Sequence, residues 1–189
     1  MLMKAYFTNY IQQLQATLGS VPTEQLEHIL EKFKDAAAKE QQVFTFGNGG
    51  SAMSASHFVT DLGKGSSDKM TKRFRCISLN DNVGWLTALG NDYSYDDIFV
   101  RQLMNLARPG DLAFTMSVSG NSPNLVKAVE WAKQNGVYTI ALLGGQRGAL
   151  TNLVDYPVVI DSKHYARVED VHMSICHMIS FAFIEHPLG

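Results

Sequence analysis

The chain has 189 residues, 46% hydrophobic and 18% charged, enough to bury the core of one domain with a helical extension. A formal net charge of -2 argues against nucleic acid or an anionic membrane surface as a partner. No apolar run reaches membrane-spanning length, and the opening MLMKAYFTNYIQQLQ lacks the apolar core of a signal peptide, so a cytoplasmic location is expected. Cys76 and Cys176 lie far apart without metal-type spacing, and both read as buried free thiols.

Residues 2–18 carry Met3, Tyr6, Phe7, Tyr10, Ile11, Leu14 and Leu18 at helical spacing. After a break at Gly19–Pro22, Thr23 reads as the N-cap of a second helix that ends near Lys39. These two helices fit an oligomer-forming hairpin spanning residues 1–40, ahead of an α/β core over 41–189. Val43–Phe46 is the first strand-like run and leads into GNGGSA at 47–52, followed by a helix from Ser51 to Leu62. The glycines of that loop permit backbone angles closed to other residues and let a ligand come close. The loop has neither dinucleotide GxGxxG spacing nor the lysine of a nucleotide P-loop, which argues against nucleotide binding.

Gly63 to Arg75 reads as a surface loop with five basic residues against Asp68 alone, solvated or else drawing anions. Cys76–Leu79 is a short strand; NDN at 80–82 starts a helix through Leu89, and GND at 90–92 interrupts it before a helix over Tyr95–Ala107. Leu112–Met116 is a buried strand, and SVSGNS at 117–122 links it to a helix with Leu125, Val126, Ala128, Val129 and Ala132 on its apolar face. Helix starts carry unpaired N–H groups and partial positive charge, so hydroxyls at Ser117, Ser119 and Ser122 around Gly120 form a cradle for a phosphate monoester. The alternative for this stretch is helix capping by Ser and Asn alone. Val137–Leu143 is a further buried strand, followed by a short helix near Leu150 and a last strand over Pro157–Ile160.

This alternation predicts a three-layer, doubly wound α/β domain with a parallel sheet of about five strands and a ligand at the strands' carboxyl ends. The final helix, Tyr165 to Glu185, is apolar on most sides and predicts burial against another subunit. His57 and Asp61 are four residues apart and share a helical face, which an ordinary side-chain contact would also explain. Glu169 and His177 are separated by a rise of roughly 12 Å in a helix, so one ion joins them only by reaching from either side or from different subunits.

GNGGSA, HFVTDLGKG (57–65), GND, SVSGNS and VEDVHMSICH (168–177) together resemble the SIS (sugar isomerase) domain family, and within it the phosphoheptose isomerases. The resemblance spans nearly the whole chain as a single SIS domain. It implies a flavodoxin-like fold, a homotetramer with active sites at subunit boundaries, and conversion of sedoheptulose 7-phosphate to D-glycero-D-manno-heptose 7-phosphate for bacterial surface polysaccharides. By that resemblance Ser117, Ser119 and Ser122 hold the phosphate, with Val118 in place of a common threonine, and Asn48, Gly49 and Ser51 line the sugar pocket. Asp81 or Asn82 contacts hydroxyls; Asp61 and His177 fall on the catalytic carboxylate and histidine, and His57 and Glu169 complete a zinc site. Asp61 stands where glutamate is usual and Glu169 where glutamine is usual. A carboxylate and an imidazole suit the proton transfers of ketose–aldose interconversion through an enediolate. A His/Asp/Glu/His set suits zinc, or nickel or iron at similar sites; without a metal, Glu169 would tune the pKa of a nearby group. The rival implication is a non-catalytic phosphosugar-binding regulator or replication-initiator adaptor, which needs no proton-transfer pair.

Overall fold

The computed structural model describes residues 2–186. Five apolar runs become strands: β1 (Gln42–Gly47), β2 (Arg75–Ser78), β3 (Leu112–Ser117), β4 (Tyr138–Gly144) and β5 (Tyr156–Ile160). They form one sheet in the order β2-β1-β3-β4-β5, with every neighbouring pair parallel. The central strand β3 is buried at all its positions, Thr115 and Ser117 included, and the Thr115 hydroxyl is satisfied by donating to Phe46 O at 2.8 Å. Strand order reverses between β1 and β3, so their following helices depart to opposite faces and leave a crevice at the carboxyl ends.

Among the described residues, eight α-helices flank the sheet: α1 (Leu2–Gly19), α2 (Thr23–Ala38), α3 (Gly50–Asp61), α4 (Val83–Asp92), α5 (Val100–Leu106), α6 (Pro123–Gln134), α7 (Leu150–Leu153) and α8 (Tyr165–Glu185). Successive strand side chains point to opposite faces, and this divides the core in two. Leu112, Phe114 and Met116 pack with α2, α3 and α8, whereas Ala113 packs with α4 to α7. Phe33 of α2 meets Phe58 and Phe114 with ring centroids 5.5 and 5.6 Å apart, so α2 is part of the layer that covers the sheet. α1 differs. It packs on α8 but leaves Met3, Phe7 and Ile11 more than half exposed along one stripe. None of the described helices is long and apolar enough to cross a membrane.

Several local expectations are corrected. Thr23 lies inside α2, whose cap position is Pro22, and no side chain caps that end. GND does not interrupt the fourth helix but forms its last turn, because α4 continues to Asp92; Asn82 caps its start by accepting from Trp85 N at 2.9 Å. The helix expected over 95–107 divides into a 3-10 turn, Tyr95–Asp97, and α5. The basic segment after α3 is more ordered than a loop, with a π-helical turn at Leu62–Ser66 and a 3-10 turn at Ser67–Lys69. Buried Ser67 organises it, donating to Leu62 O at 2.7 Å and accepting from Phe74 N at 3.0 Å. Lys72 pairs with Glu40 at 2.6 Å and Arg73 with Asp68 at 2.8 Å, while Arg75 donates to Glu40 O, so three of the five cations are engaged within the chain. Glu40 is distant in sequence, which hid its part in this charge balance.

Candidate active site

β3 ends at Ser117 and α6 begins at Pro123, a residue suited to the first helical turn because its missing N–H needs no partner there. Between them the chain turns through Gly120 at φ 66°, where a Cβ would meet Gly148 N at 3.2 Å. Ser117 Oγ accepts from Gly120 N at 3.0 Å, and Ser119 Oγ accepts from Asn121 N at 3.3 Å. The loop is braced from behind by Leu150 N on Gly120 O at 3.0 Å and Ala149 N on Asn121 Oδ1 at 2.8 Å. Ser122 occupies the N-cap position, yet its side chain makes no capping bond. Capping therefore does not account for this serine at the start of α6.

The glycine loop faces the same space. Gly49, at φ 56°, precedes the first turn of α3, and Asn80 clasps the backbone of Gly47, accepting from its N at 3.2 Å and donating to its O at 3.0 Å. A cavity of about 300 Å³ opens between the two loops. Asn48, Gly49 and Ser51 line one side, and Ser117, Val118, Ser119 and Ser122 the other. Glu169 enters from α8, and its carboxylate lies close over Gly50, where a Cβ would be 2.8 Å from Oε1 and would push the carboxylate aside. Tyr165, one turn before Glu169, also lines the cavity and went unnoticed in the sequence, because an exposed aromatic at a helix start carries no local signal.

The second group lies on α3 and α8. His57 Nε2 is 3.6 Å and His177 Nε2 3.8 Å from the same oxygen, Asp61 Oδ2, and the two imidazole rings are 5.0 Å apart at 74°. That oxygen is buried and has no hydrogen-bond partner, while the His57 and His177 side chains are 52% and 45% exposed. An orphaned carboxylate oxygen between two imidazoles fits a zinc-type donor set. Glu169 does not join it within one chain; it stays in the serine cavity. Asp81 and Asn82 are not brought to that cavity either. They line a separate depression beside Trp85, where Asp81 accepts from Ser56 and Asn82 is committed to capping α4.

Between the two groups on α8 sits His172, fully enclosed, with neither ring nitrogen completing a hydrogen bond in good geometry. Burial pulls its pKa down to about 4, with the nearby Leu143 backbone offsetting only part, so it packs as a neutral imidazole. Burial also pushes the Cys76 thiol up to about 11, and burial with the Asp61 charge pushes Cys176 up. Both are free thiols held in the protonated form; Cys176 is buried as expected, whereas Cys76, on the edge strand β2, is only half-buried.

Residues 6–144 match the family described as SIS domain. A probable phosphoheptose isomerase of Thermoplasma acidophilum is 38% identical over 90% of this chain and 93% of its own, and a phosphoheptose isomerase of Trichlorobacter lovleyi is 37% identical over 89% and 83%. The structure of a phosphoheptose isomerase from Francisella tularensis superposes with a TM-score of 0.87 at 27% identity, covering 97% of this chain and 96% of that one. With its parallel sheet, its paired glycine and serine loops and these relatives in agreement, the chain belongs to the SIS domain family, among its phosphoheptose isomerases.

Proposed function

We propose that this protein interconverts sedoheptulose 7-phosphate and D-glycero-D-manno-heptose 7-phosphate, in the cytoplasm, upstream of heptose-containing surface polysaccharides such as lipopolysaccharide. The observation that carries the reading is a hydroxyl-lined cradle at a helix start together with a carboxylate held between two imidazoles. Ser119, Ser122 and the first amides of α6 bind the phosphate, and Glu169 and Ser51 accept and donate to sugar hydroxyls. Asp61 takes the proton from the carbon beside the carbonyl and returns it to the neighbouring carbon. His177 moves a proton between the two oxygens, so the enediolate collapses to the aldose with no net gain or loss of electrons. His57, Asp61 and His177 would hold a divalent metal such as zinc, with Glu169 of another subunit completing the set. When bound, that ion would polarise the sugar oxygens as a Lewis acid.

The cavity and the His57–Asp61–His177 cluster do not share one pocket within a chain. Met178 and Phe181 are exposed beside His177, and α1 carries its own exposed apolar stripe. Apolar faces of this kind favour subunit contacts. A homotetramer that seats one chain's cluster over another's serine cavity would unite phosphate grip and proton transfer.

The test is to incubate tag-free protein with sedoheptulose 7-phosphate, with and without chelator, and to follow the aldose while light scattering reports the assembly. Aldose formation by a tetramer is expected. No turnover in any metal condition would end the proposal.

A further inference from the structure

Asn48 lines the cavity, yet its amide is already committed to the protein. Its Nδ2 donates to Asn124 Oδ1 at 2.9 Å, and Asn124 Nδ2 donates back to Asn48 Oδ1 at 2.9 Å. Asn124 Oδ1 also accepts from Leu125 N at 2.9 Å, and the Tyr95 hydroxyl donates to Asn48 Oδ1 at 3.2 Å. Asn124 is only 1% exposed, so an unpaired amide there would carry a desolvation cost. On the other side of the same loop, Asn80 makes its own reciprocal pair with the backbone of Gly47. Three asparagines from the segments following β2, β1 and β3 are thus linked across adjacent strand ends.

We infer that Asn124 is a positioning residue of the sugar-phosphate site, acting through Asn48 to fix the spacing between the glycine loop and the serine loop. The β1–β3 ladder reaches Gly47 and Met116, and beyond those residues the following helices leave to opposite faces, so no ladder hydrogen bond links the tips of the two loops. The reciprocal amide pair supplies that link directly at the cavity wall. Asn48 then shapes the pocket as the other half of the strut, its Oδ1 accepting from both Asn124 and Tyr95 and one of its two Nδ2–H groups held by Asn124.

The inference rests on the isomerase reading for its choice of ligand, so one measurement is made without ligand. Hydrogen–deuterium exchange across residues 47–52 and 117–125 is compared for wild type, Asn48→Ala, Asn124→Ala and the double variant. Both singles are expected to speed exchange in both loops to the same extent, and the double no further. In calorimetry with sedoheptulose 7-phosphate each single should weaken binding about tenfold, and the double should match the singles, as for one shared contact. Tyr95→Phe removes an exposed hydroxyl with little risk to folding, and should weaken binding by about threefold only while Asn48 is present. Unchanged exchange in the glycine loop of Asn124→Ala, or effects that multiply in the double, would overturn the strut. A wild type that neither binds nor converts the sugar would sink the isomerase reading, leaving the exchange comparison to judge the strut.

Discussion

The serine cavity and the His57–Asp61–His177 cluster are served by the same two helices, yet a single chain completes them to different degrees. At the cavity, backbone turns, Gly120 and the Asn48–Asn124 pair are mutually satisfied, and Ser117 is 6% exposed. At the cluster the histidines face outward and Asp61 Oδ2 lacks a partner. Local loop geometry finishes the first from nearby residues. In the second, Asp61 Oδ2 stands 3.6 and 3.8 Å from the two imidazole nitrogens, beyond hydrogen-bond reach of either.

Separating the two regions by mutation should therefore separate binding from chemistry. The largest effect is expected at the cluster: Asp61→Asn or His177→Ala should lower kcat by about 10²–10⁴-fold, the range for a lost acid or base. The calorimetric Kd for inorganic phosphate should stay within twofold of wild type, and a parallel loss of phosphate affinity would join the two regions into one.

Next comes His172, which lies between them. Its folded pKa is lowered to about 4, so from pH 6.5 down to 4 the unfolded chain binds the extra proton and stability falls. The loss across that window is on the order of 3 kcal/mol. His172→Leu should flatten this acid slope in denaturant titrations, whereas a cluster variant such as His57→Ala should leave it in place. An unchanged slope in His172→Leu would move the acid sensitivity elsewhere.

The smallest effect is at the cradle. Ser122→Ala removes one hydroxyl that the fold does not use for capping, so phosphate binding should weaken about tenfold with Tm unchanged. A fall in Tm with affinity intact would return Ser122 to a structural role.

Much of the fold was legible because its signals are local. Val43–Phe46, Leu112–Met116 and Val137–Leu143 read as buried strands from continuous apolar runs, and glycines and serines mark the loops between strand and helix. The serine side of the cavity followed for the same reason, since Ser117, Ser119 and Ser122 are neighbours in sequence. Partners distant in sequence were not legible: Glu40 beneath the basic segment, Asn124 opposite Asn48, and Tyr165 across from the serine loop. Asp81 and Asn82 fall outside the serine cavity of one chain, where Asn82 caps α4 and Asp81 accepts from Ser56, contacts that their loop sequence did not reveal.

From the sequence alone came the strand–helix alternation and the serine loop that lines the cavity, because hydrophobic periodicity and turn chemistry act over a few residues. Only the tertiary structure brought His177 of α8 beside His57 and Asp61 of α3, and assigned Glu169 to the cavity instead. Those encounters depend on where two helices 100 residues apart pack against one sheet face, a matter of long-range burial that no local pattern encodes.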